Sequence, residues 1–155
     1  MANEGWKLFY WHFLPGRGDY VRLMFEEAGV QYEDVCAAQK SSEPCLKFYR
    51  GEHDAFPVIA PPIIQRGDFV MNETPAILQY LGKKFGLYPD GGLEEEAHAM
   101  QIMLVVTDYH AEGHDAFHPV KKSGSYDSQK EEAKPHIAAF KEDRMPRWGE
   151  ACVQI

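Results

Sequence analysis

The stretch "APPIIQRGDFVMNETPAILQYLG", residues 60–82, holds two short apolar runs, a tight turn and an amphipathic segment. Pro61 and Pro62 stand directly before the first run. Proline carries no N–H for a sheet ladder, so it belongs at the first residue or the edge of a strand. Arg66-Gly67-Asp68 separates "PIIQ" from "FVM", and glycine supplies the positive φ of a hairpin turn. In "TPAILQYLGKKFG", Ile77, Tyr80, Leu81 and Phe85 form one apolar helical face. Pro75 suits its first turn and Gly86 its end. The stretch reads strand, strand, helix.

Working outward, "WKLFYW" (6–11) is an aromatic, β-rich strand that ends in the loop "LPGRGD". In "DYVRLMFEEAGV", Val21, Met24, Phe25 and Ala28 recur at helical spacing, with Asp19 as expected N-cap and Gly29 as C-terminal stop. "VQYEDV" (30–35) reads as a second short strand. Residues 36–57 contain Pro44, Gly51 and Pro57 and read as irregular, with a short helix near 43–50. "LYPDGG" (87–92) concentrates proline and glycine as a linker would. Residues 93 to about 118 lack proline and repeat at helical spacing (Ala97, Met100, Leu104, Thr107, Ala111), which predicts a long helix. After the loop "HPVKKSGSYDSQ", residues 128–143 read as a charged, weakly amphipathic helix. The expected organisation is an α+β chain, β-α-β-α-β-β-α over 1–86, a linker at 87–92 and a partial all-helical domain over 93–155.

The chain has 155 residues, with 16 Lys and Arg against 24 Asp and Glu, a formal charge of −8. That balance repels phosphate backbones and anionic lipid, so neither nucleic acid nor membrane is an expected partner. No apolar run approaches the roughly 18 residues of a membrane span. The beginning "MANEGWKLFYWHF" has Glu4 ahead of its first lysine and no small-residue cleavage site, unlike a signal peptide. Cys36, Cys45 and Cys152 are odd in number and scattered, which fits neither a disulfide framework nor a CxxC pair and points to a reducing, cytoplasmic setting.

The element order, with a proline at the mouth of the third strand, is similar to the plan of a thioredoxin-like domain, in which that X-Pro bond is cis. Such a turn aims the backbone of the preceding residue outward, toward an extended peptide. The plainer alternative is an edge-strand proline that only blocks pairing. Asn72-Glu73-Thr74 opens the next helix. A helix start presents unpaired N–H groups and partial positive charge, which suit a carboxylate. Thr74 would offer an N–H and a hydroxyl, and Glu73 would accept from an ammonium group on the same ligand. Here too a plainer alternative stands, namely capping alone.

"KLFYW…PGRGDYVRLMFEEAG" followed by "APPIIQRGDFVMNETPAILQYLGKKFGLYP" resembles the amino-terminal domain of a glutathione S-transferase of the tyrosine type, closely over about 6–90 and loosely over 93–146. The resemblance implies glutathione as co-substrate, held at its γ-glutamyl end by Glu73 and Thr74. Its cysteinyl backbone would run antiparallel to Pro61, which precedes Pro62. Proline at 61 departs from the family, because that residue normally supplies an N–H; only the Pro61 carbonyl is left. Tyr10 is implied as the catalytic hydroxyl, although the loop to "GRGD" is one residue longer than usual and an ungapped alignment would put Trp11 there. Arg17 is implied to orient the thiolate or the glycyl carboxylate, Lys47 to reach that carboxylate, and Asp108 to approach a partner subunit's glutathione.

The implied chemistry is thiol activation. A free thiol has a pKa near ~8.5. Lowering it by about 2 units takes about 2.7 kcal/mol, within the roughly 1.5–3 kcal/mol of one hydrogen bond to a charged group. One hydroxyl suffices.

Other signals carry less. Arg66-Gly67-Asp68 reads as a turn rather than an adhesion tripeptide, and "NET" as a helix start rather than a glycosylation site. "PGRG" is an incomplete dinucleotide fingerprint. His110, His114 and His118 lie along one helix side, but no other ligand type is fixed nearby, so they read as cleft lining or solvated face rather than a metal site. Cys36 and Cys45 read as inert thiols, and without a CxxC a disulfide oxidoreductase is the weakest reading. Beyond Trp148 the resemblance ends, which implies a shortened second domain whose exposed apolar area favours dimerisation, with a homodimer expected, or aggregation. Two functions are expected from these observations. One is conjugation of glutathione to small apolar electrophiles, without a metal. The other is a catalytically poor glutathione-binding or interaction module.

Overall fold

The structure is a computed structural model and describes residues 5–153 apart from the Cys152 side chain, so the readings at Glu4 and Cys152 lie outside the described residues. Four strands form one mixed sheet: β1 (Trp6–Phe9), β2 (Tyr32–Asp34), β3 (Ile63–Arg66) and β4 (Phe69–Asn72). Their order is β2-β1-β3-β4, with β1 parallel to β2 and antiparallel to β3, and β3 antiparallel to β4. Helices α1 (Gly16–Ala28), α2 (Val35–Gln39), α3 (Glu43–Tyr49) and α4 (Thr74–Phe85) complete a thioredoxin-like arrangement.

The sheet is covered on both faces, which explains why "II" is a continuous apolar pair rather than an alternation. Trp6, Leu8 and Ile64 pack with Val21 and Phe25 of α1 and Ile77 and Leu81 of α4. Phe9, Ile63 and Val70 pack with Val35, Cys36 and Cys45 on the opposite side. Gly29 and Gly86 end α1 and α4 in left-handed conformations, as their positions predict.

Several boundaries differ from expectation. Helix α1 begins at Gly16, so Asp19 is not its N-cap; it lies in the first turn and pairs with Arg22. Residues 35–39 form helix α2, although Val35 was expected to end the second strand and 36–39 to be irregular. Its N-cap is Asp34, whose carboxylate accepts the Ala37 N–H at 3.2 Å and the Arg22 Nε–H at 2.7 Å. The helix expected over 128–143 opens as a 3₁₀ turn at Tyr126–Gln129. It runs as α6 (Lys130–Ala139), passes through a π-turn at Phe140–Arg144 and continues as α7 (Met145–Val153). The π-turn carries the helical path up to Pro146, with the Met145 N–H bonded to the Phe140 carbonyl five residues back.

Long helix α5 (Leu93–Phe117) follows the segment 87–92. Internal contacts gather into two compact units that divide between Met100 and Gln101, inside α5. The first turns of α5 stay with the first unit because Tyr88 donates its hydroxyl to the Glu96 carbonyl at 3.1 Å and Lys83 pairs with the Glu96 carboxylate at 2.6 Å. In the second unit, Tyr109 stacks on Phe140 with centroids 5.5 Å apart, and Arg144 donates two 2.7 Å hydrogen bonds to Glu112. No helix among the described residues is long and apolar enough to cross a membrane.

Candidate functional site

Sheet register assembles the site. Phe9 pairs with Ile63, and Ile63 with Asn72, so β1, β3 and β4 reach one edge of the sheet together. The next residues beyond that row are Tyr10, Pro62 and Glu73. Three segments far apart in sequence therefore meet at one end of the sheet.

Tyr10 is 6% exposed, and its hydroxyl oxygen accepts the Arg17 backbone N–H at 3.0 Å. With that oxygen lone pair occupied, the phenolic proton is left to donate elsewhere. Burial raises the Tyr10 pKa, while the Arg17 N–H and the charges of Arg17 and Arg22 pull it down; the net shift is upward. The phenol therefore stays protonated, and a donor, through neutral pH. The Arg22 guanidinium stands 5.9 Å from the ring centroid. Arg17 contributes its backbone here, and its side-chain Nε is buried with no hydrogen-bond partner among the described residues. Trp11, the alternative position, packs against the cluster beneath α2 and α3.

The Pro61–Pro62 bond is cis, as the thioredoxin-like plan implies. Pro62 is buried and Pro61 half-buried. The Ala60 carbonyl takes a long 3.5 Å contact from Asn72 Nδ2, which ties the turn to the end of β4.

Helix α4 starts without any side-chain cap. Glu73 is exposed and holds φ 73° and ψ 109°, one of two described non-glycine residues with positive φ. Such a conformation costs on the order of 1–3 kcal/mol. Thr74 is 4% exposed, and its hydroxyl has no hydrogen-bond partner among the described residues. A buried unpaired hydroxyl costs about 1–3 kcal/mol as well. Simple capping therefore does not account for Asn72-Glu73-Thr74. The segment holds a strained residue beside an unsatisfied one, at an uncapped helix start.

Tyr10, Arg17, Pro61, Pro62, Glu73 and Thr74 thus gather at one edge of the first unit. Lys47 does not join them by any described contact. It is exposed on α3 and lines a cavity of about 390 Å³ with Phe9, Gln39, Glu43, His53 and Gln65. Asp108 is exposed on α5 and belongs to the second unit. His114 stacks on His118 with centroids 4.4 Å apart, and His118 meets the Gln129 amide at 3.4 Å. Among the described residues, no three His, Cys, Asp or Glu side chains are grouped to hold a metal ion.

Sequence reasoning missed the glycines around Tyr10, although "PGRG" was in plain view. It also missed that Cys36 and Cys45 meet: both are fully buried, hydrogen-bond each other, and have pKa values pushed up by burial, Cys45 to about 12.

No family model matches the chain. It is 29% identical over 104 residues to a glutathione S-transferase of Plasmodium falciparum (isolate 3D7), covering 66% of this chain and 48% of that protein. It is 29% identical over 139 residues to glutathione S-transferase 1 of Ascaris suum, covering 90% of this chain and 62% of that protein. The chain thus spans about half to three-fifths of the length of these curated relatives. Among solved structures, a nematode-specific GST of C. elegans superposes with a TM-score of 0.59 at 25% identity, covering 88% of this chain and 64% of that one. Sequence similarity, element order and the cis-proline edge agree in their likeness to glutathione S-transferases.

Proposed function

We propose that the chain binds glutathione along the cis-proline edge of its first unit and transfers the glutathione sulfur to small apolar electrophiles. The observation that carries this reading is the start of α4, where the Thr74 hydroxyl is buried and unpaired beside the strained Glu73. A ligand carboxylate at that helix start would meet the free N–H groups and the Thr74 hydroxyl, and a neighbouring ammonium would meet Glu73. The Pro61 carbonyl would accept the cysteinyl N–H. Tyr10, protonated and already holding the Arg17 N–H, would donate to the thiolate and so lower the thiol pKa. Attack of the sulfur on an electrophilic carbon forms the C–S bond and releases the leaving group.

As in the family, the working form would be a cytoplasmic homodimer, with Asp108 turned toward the partner's ligand and Lys47 toward the glycyl carboxylate. The chemistry needs no metal. A second reading, a glutathione-binding module with little turnover, draws support from Pro61, which offers one backbone hydrogen bond where relatives offer two.

Calorimetry with glutathione and turnover of an activated aryl chloride separate the two readings. Binding with turnover supports a transferase, and binding without it supports the module. Absence of binding refutes both. Tyr10→Phe should retain glutathione affinity while turnover falls roughly 10- to 100-fold, the worth of one hydrogen bond to a thiolate.

A further inference from the structure

The loop between β1 and α1 meets Tyr10 through two residues without side chains. A Cβ on Gly16 would stand 2.5 Å from the Tyr10 hydroxyl oxygen, and one on Gly18 would stand 2.5 Å from Cδ1 and 2.6 Å from Cγ of the same ring. Gly18 is buried, and its contacts are at the root of the ring, which cannot swing aside as a side-chain tip can. Between them, Arg17 donates its N–H to the hydroxyl oxygen at 3.0 Å. The root of the ring, its Cε1 side and the hydroxyl are therefore all met by one turn of backbone.

We propose that Gly16 and Gly18 are positioning residues for Tyr10: the first turn of α1 is a side-chain-free cradle that sets where the phenol lies and which way its proton points. Two constraints act together. The missing side chains let the ring rest against the helix start, and the Arg17 N–H occupies the oxygen from the helix side. The hydroxyl proton is thereby left to donate on the side away from the Arg17 N–H. An alanine at either glycine displaces the oxygen, and hydrogen-bond donation to a thiolate falls off steeply over a few tenths of an ångström.

This inference rests on Tyr10 as the activating group, so the test includes a readout that needs no glutathione. Gly16 and Gly51 both hold positive φ, +43° and +72°, but a Cβ on Gly51 meets nothing within 4 Å. Gly51→Ala thus carries the backbone penalty without touching Tyr10, and it serves as the control for Gly16→Ala. Tyr10 ionisation is read by ultraviolet difference against Tyr10→Phe in the same backgrounds. The thiol pKa of bound glutathione is read by thiolate absorbance.

The expected result is a Tyr10 titration that moves in Gly16→Ala and Gly18→Ala and stays in Gly51→Ala. In the first two, the bound thiol pKa rises toward the free value of about 8.5, and kcat falls roughly 10- to 100-fold with little change in glutathione affinity. Unmoved Tyr10 titration in a folded Gly16→Ala or Gly18→Ala protein overturns the cradle, whatever the activity. Should Gly18→Ala not fold, the comparison of Gly16→Ala with Gly51→Ala decides alone. A moved titration in a protein that never lowers the thiol pKa leaves the cradle standing and removes the transferase reading instead.

Discussion

In the proposed function, Thr74 sets a local conflict between stability and binding. Its hydroxyl is buried and unpaired, so Thr74→Val, which keeps the shape and removes the oxygen, should raise stability by about 1 kcal/mol, seen as a higher midpoint in urea. The same change should weaken glutathione binding roughly tenfold or more, because the carboxylate loses a hydroxyl donor. Weaker stability with unchanged affinity would assign Thr74 to packing alone. At Pro61 the expectation has the opposite sign. Pro61→Leu supplies the N–H that relatives carry, and one added hydrogen bond of about 1 kcal/mol should tighten glutathione about fivefold in calorimetry. No gain would put the cysteinyl backbone elsewhere. These residue types were legible in the sequence as one of two readings, a ligand site or simple capping of the helix start. The positive φ of Glu73 and the unpaired Thr74 oxygen were not, because neither exists until α4 is packed on the sheet.

At the level of elements, α2 shows why short helices escape sequence reading. Five residues, Val35–Gln39, are too few to display a period, and they follow a strand whose last residue is their cap. Asp34 serves two elements at once, capping α2 and holding Arg22 of α1 at 2.7 Å. Asp34→Ala should therefore cost about 1–2 kcal/mol, lowering the thermal midpoint by several degrees. Asp34→Asn keeps the cap and should cost less than half of that. Equal losses in the two variants would mean that the Arg22 pair, not the cap, holds α2. The long helix and the two glycine stops were read correctly because periodicity and left-handed termini are local properties. Asp19 was misread as a cap because a good capping residue near a helix start is common, whereas the helix already begins at Gly16, directly after Pro15 and without a side-chain cap.

Across the whole molecule, four groups in the first unit prefer their neutral form. Cys45 and Tyr32 are raised to about 12 from ordinary values of 9.0 and 10.0, and Cys36 and Tyr10 are raised as well, in each case with burial as the largest cause. A group whose folded pKa exceeds its unfolded value contributes stability that is complete below the unfolded pKa and is lost as pH rises toward the folded one. Stability of the first unit should thus fall above pH 9 and keep falling toward pH 12, measured as thermal midpoints by circular dichroism. Cys45→Ala should flatten the early part of that decline. A midpoint level from pH 8 to 11 in the unaltered protein would contradict the burial of these groups.

The sequence by itself determined the order of the four strands and of helices α1, α3, α4 and α5, the hairpin at Gly67, the stops at Gly29 and Gly86, and the chemical character of Tyr10, Pro61, Pro62, Glu73 and Thr74. Each of these follows from a residue's own backbone preferences or from spacing along one element. Only the tertiary structure decided that Tyr10, Pro62 and Glu73 emerge side by side, that Lys47 lines a cavity with Phe9 and Gln65, and that two glycines press on the phenol. Those facts depend on strand register and on which face of a helix meets the sheet. Contacts between distant segments are set by the packing of the whole core, and no local pattern encodes them.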